Sequence, residues 1–350
     1  MDSKKRLCQK PPKTFKLLHD TAIFNVTKLW QNGSTLQVQF LNYIYDADGN
    51  KVNDPKYVWA SWEKAWIGYI ITDTIMKYAN LNFVFHLDLN NTGTLPPGIT
   101  PDIIITKNPK GGAWSYVGTD CLNYSKPTDQ SAPEPTMNLG WLDAPYDTPF
   151  TFQGASYTTG TGFDQGGYTN GLSGTIVHEF GHTVGMLHEL QTPFGAPFTF
   201  NRDATYAYFA GPPNNWNSAD TDSNVLDLID RNQKNGSNFD KDSIMKYSFP
   251  CKLINETGPT ICSYIEYTTE ILSNCDKYWL GINYPGKPLV SCPLASNLWP
   301  VITPTPGPTP VPNPIISKLF PDKISFEYIL LFLGIILVIA STLLFLFSII

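Results

Sequence analysis

Apolar residues recur along this chain with periods that change from segment to segment, and each change marks an element. Leu36 to Tyr45 (LQVQFLNYIY) carries β-branched and aromatic residues with partial alternation, which predicts a strand. Residues 46–55 (DADGNKVNDP) are rich in turn-forming residues. From Lys56 to Asn80, Val58, Trp62, Trp66 and Ile70 fall at helical spacing, so this stretch reads as a long helix packed on a sheet, with its tryptophans in the core. Leu81 to Leu89 (LNFVFHLDL) and Asp102 to Thr106 (DIIIT) read as strands, and His86 inside the first as a packed or solvent-side histidine, not a ligand. Lys126 to Pro135 is a loop. After His188 the sequence is rich in Pro, Asn, Asp and Gly, with one helical candidate at Ser223 to Gln233. Ser273 and Asp276 form a capping-box pattern that starts a last helix.

The two ends read differently. Residues 1–24 form a loose basic arm without the long apolar core of a signal peptide. Val301 to Pro314 (VITPTPGPTPVPNP) favours extended polyproline II and acts as a semi-rigid spacer. Tyr328 to Ile350 is uncharged, and a bilayer needs about 20 apolar residues, so this run predicts a single transmembrane helix. No internal repeat is apparent.

The chemistry concentrates in Gly174 to Glu189 (GTIVHEFGHTVGMLHE). Ile176, Val177 and Val184 give the segment an amphipathic helical pattern. Positions four apart share a helix face, so His178 and His182 aim at one point from rigid backbone. Gly185 is free to adopt positive φ and end the helix, so that His188 arrives from another direction. Three histidine nitrogens suit one tetrahedral Zn²⁺ with a fourth position open to water, the arrangement of a catalytic rather than a structural site. Glu179 lies beside the first ligand, near that water. The chain has five histidines, and three of them occupy these positions.

HExxHxxGxxH is the metzincin signature, and a Met-turn candidate follows at Asp242-Ser243-Ile244-Met245-Lys246-Tyr247. With Glu189 directly after His188 and the turn reading Ser-Ile-Met-x-Tyr, the chain resembles the astacin family. The resemblance implies that Met245 forms a hydrophobic base under the zinc, and that Tyr247 serves as an extra ligand that swings away to stabilise the transition state. It further implies an α+β, zincin-like fold: a twisted mixed sheet plus active-site helix, then a smaller irregular C-terminal subdomain. The predicted order β-α-β-β-β-α matches the first of these. Trp30 to Phe40, Gly112 to Asp120 and Thr136 to Trp141 look like the family's strands, and Leu272 to Lys277 with Tyr284-Pro285 like its final helix. Ala113 to Val117 matches the strand at the sheet's edge above the cleft. Trp114, Ser115 and Tyr116 would there offer unpaired backbone groups to an extended peptide, the other reading being an ordinary covered edge. Lys246 stands where the family commonly has His. In the family the Glu after the third His contacts the mature N-terminus, and with no inhibitory pro-segment recognised here that role is not carried over to Glu189.

Composition narrows the partners. The 350 residues carry a net charge of −6 and a pI of about 5.3, with no Lys/Arg cluster after the first few residues, so no nucleic-acid partner is expected. Among Cys8, Cys121, Cys251, Cys262, Cys275 and Cys292 there is no CxxC pair. The four between 251 and 292 suggest disulfides stapling the C-terminal part; buried free thiols are the other reading. Sequons stand at Asn25, Asn32, Asn90, Asn123, Asn235 and Asn255 and matter only in a secretory compartment. Lys318 and Lys323 before the span favour a cytosolic domain, whereas cysteines and sequons favour the opposite side or a virion membrane.

These readings divide the chain into a basic arm (1–24), a metallopeptidase domain (25–286), a Cys-containing extension (287–300), a Pro-rich stalk (301–324) and a membrane helix (325–350). The expected function is a zinc-dependent endopeptidase with one Zn²⁺ per chain, acting on protein or peptide substrates and held at a lipid bilayer by its last segment. A catalytically silent metzincin-like attachment protein of a membrane or virion surface is the alternative.

Overall fold

The apolar run beginning at Leu36 becomes the middle of the main sheet. The computed structural model describes residues 24–294 apart from 47–49, 88–94, 126–133, 141, 146, 161–167, 170–172, 194–195, 213, 230–233, 237, 257 and 267–269. The basic arm, Cys8, Asn90, Trp141, much of the 126–135 loop, the end of the helix expected at 223–233, the stalk and the membrane span therefore lie outside the described residues, wholly or nearly so. Among the described residues no helix is long and apolar enough to cross a membrane.

In chain order the elements are β1 (Phe24–Asn25), β2 (Thr35–Phe40), β3 (Ile44–Tyr45), β4 (Lys51–Val52), α1 (Ser61–Asp73), α2 (Ile75–Tyr78), β5 (Asn82–Phe85), β6 (Ile103–Thr106), β7 (Ala113–Ser115), α3 (Leu122–Ser125), β8 (Met137–Leu139) and β9 (Leu142–Asp143). There follow β10 (Pro149–Phe152), β11 (Ala155–Thr158), β12 (Tyr168–Thr169), α4 (Gly174–Thr183), α5 (Arg202–Phe209), α6 (Ser218–Thr221), β13 (Lys234–Asn235), α7 (Pro259–Glu266) and α8 (Asn274–Asn283). The main sheet runs β5-β2-β6-β8-β7, parallel except for the antiparallel edge strand β7. Leu36, Val38 and Phe40 of β2 are buried, as are Ile103, Ile104 and Ile105 of β6.

Two sequence expectations change shape. The single helix over 56–80 is a short turn at Pro55–Tyr57, then α1 and α2, because Thr74 interrupts the helical backbone at φ −113°, ψ −89°. Its hydroxyl bonds the Ile70 carbonyl at 2.6 Å, the local competition by which Thr disturbs helices. Glu63 starts α1, taking the Ala60 N–H at 2.8 Å, while its carboxylate also holds buried Lys107 at 2.6 and 2.8 Å. The strand over 36–45 is likewise broken, and β3 turns away to pair with β4. The β10–β11 hairpin was not foreseen; it folds Phe150 and Phe152 onto α1.

One apolar core fills the space between the sheet, α1, α4 and α8, from Phe24 to Tyr284. A second gathers Leu190, Phe198, Phe209, Trp216, Val225, Tyr247, Phe249, Leu253, Ile254 and Ile265 after the histidine segment. Disulfides Cys251–Cys262 and Cys275–Cys292 staple that later part, while Cys121 is a free, buried thiol. Of the described sequons, Asn25 and Asn235 are buried, with side chains bonded to Thr27 and Asn283. Asn32, Asn123 and Asn255 are exposed.

What positions the site is the end of α4. Gly185 adopts φ +95°, and the N–H groups of Gly185 and Met186 return to the carbonyls of His182 and Gly181 at 2.8 and 2.9 Å. These bonds satisfy two of the carbonyls a helix end leaves open. Two more are taken from distant parts of the chain. The Trp30 indole N–H donates to the Thr183 carbonyl at 2.7 Å, and the Tyr284 hydroxyl to the Val184 carbonyl at 2.9 Å. A Cβ at Gly185 would lie 2.8 Å from Leu29 Cδ2, in addition to the backbone penalty. Gly185→Ala is therefore expected to destabilise the fold by about 1–3 kcal/mol in urea unfolding; an unchanged midpoint would contradict this account of the turn.

Candidate metal centre

His178 and His182 lie on one face of α4, as their spacing requires, and His188 reaches the same point after the Gly185 turn. The three offer ligand atoms within 4.8 Å of one another, and all three are buried. Each of the first two is held by a backbone carbonyl at its other nitrogen. His178 Nδ1 donates to the Ile244 carbonyl and His182 Nδ1 to the Met186 carbonyl, each at 2.9 Å. A carbonyl accepts only, so the proton sits on Nδ1 and the Nε2 lone pair is turned inward. His178 Nε2 is buried with no hydrogen-bond partner. His182 Nε2 stands 3.1 Å from His188 Nε2, which lies 2.6 Å from the Tyr247 hydroxyl. With its proton on Nδ1, His182 is the acceptor in that contact.

Protons do not relieve this crowding. Burial pushes His178 down to about 4, against a raising effect of the Ile244 bond. Burial, then the charge of His178, pushes His182 to about 3. His188 is driven well below its ordinary value, first by burial and then by the other two rings, with the nearby Gln191 side chain and Asn224 backbone acting the other way. A borderline-soft divalent cation fits such a set: neutral imidazoles, inward lone pairs, one orphaned nitrogen and second partners that fix each ring. Other protein groups complete the surroundings. Met245 is fully buried against α4, and a Cβ at Gly181 would stand 2.7 Å from its sulfur, so the glycine within HEFGH admits the methionine. The Tyr247 ring stacks on His178 at 5.7 Å between centroids and meets His188 at 4.4 Å. Glu179, 1% exposed, follows His178 on the helix.

Sequence reasoning missed the support under the Met-turn. Asp276 accepts from the Ser243 hydroxyl at 2.8 Å and the Ile244 N–H at 2.9 Å, and Ile244 in turn orients His178. Asp276 also caps α8 through Ser273, the only role its pattern displayed. Burial, then Asp240, raises its carboxyl to about 6. Glu189 bonds the same region twice: its N–H to the Met245 carbonyl at 3.1 Å, its carboxyl accepting the Asp240 N–H at 2.7 Å. Burial, then Asp240, holds Glu189 well above the usual carboxylate range.

The remaining expected residues lie on or beside β7. Trp114 and Ser115 belong to it and Tyr116 follows; all three are buried by their side chains. The bonds Tyr116 N–H to Thr136 carbonyl and Gly140 N–H to Gly112 carbonyl, both 3.0 Å, show which residues face β8. Antiparallel alternation then turns the N–H and C=O of Ala113 and Ser115 toward the open side. His86 lies apart, bonded to Gln37 at 2.7 Å.

No family model and no curated protein matches the chain. Among solved structures it is similar to myroilysin, at 25% identity and a TM-score of 0.53, covering 76% of this chain and 99% of that one. A second myroilysin crystal structure aligns at 26% identity and a TM-score of 0.41, over 81% of this chain and 99% of that one. A hatching-enzyme zinc-protease from the medaka fish Oryzias latipes aligns at 14% identity and a TM-score of 0.37, over 75% and 96%.

Because burial keeps the imidazoles neutral, zinc uptake should not suffer proton competition near pH 6. Three free imidazoles of pKa about 6.5 would lose roughly 50-fold in binding between pH 7.5 and 6. Competition with a chromogenic chelator is expected to give one zinc per chain and a change under about threefold over that interval. A loss near 50-fold would contradict the burial account of the imidazoles, and stoichiometric binding retained in His182→Ala would rule the centre out.

Proposed function

We propose that the chain is a zinc-dependent endopeptidase that hydrolyses peptide bonds in protein or peptide substrates. The observation that carries this is the convergence of three neutral, inward-facing imidazoles with Glu179 beside the first of them. The shared fold with myroilysin is consistent with it. His178, His182 and His188 would hold one Zn²⁺, which when bound supplies Lewis acidity that polarises a carbonyl and lowers the pKa of a water toward about 7.

The chain's own groups do the rest. Glu179 is the general base: it takes the proton of the attacking water and delivers it to the leaving amine. Tyr247, whose hydroxyl already reaches His188, donates toward the oxygen on which negative charge develops. Met245 closes the floor beneath the histidines. The open side of β7 receives the substrate as an added strand, with Ser115 contributing main-chain N–H and C=O.

The segment 325–350 is the membrane anchor in this reading, supported by the uncharged apolar run 328–350 within it, with the 301–324 stretch as spacer. The side of the membrane on which the enzyme stands follows from protease protection of the intact membranes.

Glu179→Gln is expected to retain one zinc while turnover on a peptide library falls by at least about 10²-fold. Full activity in that variant would refute the assignment, and zinc without any wild-type cleavage would favour the attachment-protein alternative. For Tyr247→Phe a partial loss of kcat with zinc unchanged is expected, and wild-type kinetics would reject its role. The full chain should stay with membranes through alkaline carbonate extraction and be released when truncated after residue 315; release of the full chain would overturn the anchor.

A further inference from the structure

α4 and the edge strand are joined by a pair of buried hydroxyls that the histidine site does not use. Thr183, fully buried, directly follows His182, and its Oγ1 lies 3.0 Å from Ser115 Oγ on β7. Ser115 Oγ also reaches the Tyr116 carbonyl at 2.9 Å, and Thr183 Oγ1 the Glu179 carbonyl at 3.3 Å. Two hydroxyl protons thus serve three contacts. Polarised one way, Thr183 donates to Ser115 and Ser115 to the strand; polarised the other way, Ser115 donates to Thr183 and Thr183 to the carbonyl of Glu179. In either state the middle bond is kept.

We infer that the Ser115–Thr183 hydroxyl bridge is a positioning device, which fixes the offset between a substrate docked on β7 and the helix turn that carries Glu179. Ser115 is the residue whose main-chain groups face the open side of the sheet, and Thr183 bonds the residue assigned as base. The Trp30 indole on the Thr183 carbonyl braces the same residue from behind, so movement of Thr183 is restricted to its side chain. The bridge rests on the peptidase reading above and says which residue converts strand docking into rate. A remote part of a substrate accelerates the chemistry only where its binding fixes the reacting atoms, and misplacement by about 1 Å costs up to roughly 10² in rate.

The test uses the full chain and a nested series cut from a peptide the wild type cleaves, shortened one residue at a time from each end. The wild type should gain kcat with length as the strand is occupied. Thr183→Val, close to isosteric but without the hydroxyl, is expected to lose that gain: kcat on the longest peptide falls about 10-fold with KM nearly unchanged, while the shortest cleaved peptide is cut at the wild-type rate. Thr183→Ser should restore kcat to within twofold. Ser115→Ala should lose kcat on the longest peptide as Thr183→Val does, and the double variant should lose no more there than either alone, as two ends of one bond require. Equal loss on short and long peptides, additive losses, or no loss would overturn the inference. A readout free of turnover accompanies it: amide exchange at Tyr116 should rise in Thr183→Val and not in Thr183→Ser. If the wild type cuts no peptide, the peptidase reading fails, and unchanged exchange at Tyr116 would remove the bridge as well.

Discussion

Three imidazole nitrogens converging in a buried interior, two of them 3.1 Å apart and the third without a hydrogen-bond partner, are the arrangement on which the rest of this structure depends. An unsatisfied buried acceptor costs about 1–3 kcal/mol. The ordinary escape, protonation of one ring, is closed by the same burial, which drives all three imidazoles below their usual values. A cation removes the conflict by giving each lone pair a partner. The surrounding protein fixes two of the rings at their other nitrogen, through the Ile244 and Met186 carbonyls.

That rigidity is assembled from the ends of the domain. The last carbonyls of α4 are met by Trp30 and Tyr284, which also bond each other through the Trp30 N–H at 3.3 Å across a separation of 254 residues. Beneath the helix, Ile244 binds His178 with its carbonyl and Asp276 with its N–H, so a helix cap near residue 276 steadies a ring at residue 178. The Cys275–Cys292 bridge holds the start of that same helix. A site built this way forms only when the whole domain has folded, because no local segment contains both the ligands and what orients them. It also explains why the second, later core is needed: it carries Tyr247 and the chain leading into the Met-turn against the histidines.

What was legible in the sequence was local. Four-residue spacing on a helix brought His178 and His182 together, a glycine at a positive-φ position delivered His188, and the Ser273–Asp276 pattern began α8 where its cap stands. The antiparallel edge position of β7 came from resemblance rather than from periodicity, since three residues hold too little alternation to read. Other features left no local trace. The break at Thr74 lies in its own φ and ψ, with the Ile70 carbonyl accepting both its N–H and its hydroxyl, and such back-bonding occurs in unbroken helices too. The β10–β11 hairpin turns at Gln153-Gly154, with Gln153 at φ 49°, where the expected signal is Asn or Asp before the glycine. Cysteine positions suggested staples in the later part without pairing them. Long-range bonds such as Trp30 to Thr183 have no period at all, and Asp276 concealed its second role behind its first.

The same environment also separates the two glutamates that flank the histidines. Glu189 adjoins His188, as Glu179 adjoins His178, and distance along the chain alone would let either serve as base. Glu189, however, is fixed at both its backbone and its carboxyl, to Met245 and Asp240, and its neighbours Asp240 and Asp276 are themselves carboxyls under buried repulsion. Burial and those carboxyls hold Glu189 above the usual carboxylate range, with the nearby charge of Lys246 acting the other way. Its carboxyl already accepts the Asp240 N–H and is tied in place. Its function is to tie the third histidine's segment to the Met-turn. Glu179 lies within the helical turn between His178 and His182, and the proposed peptidase reading assigns the proton transfer to it.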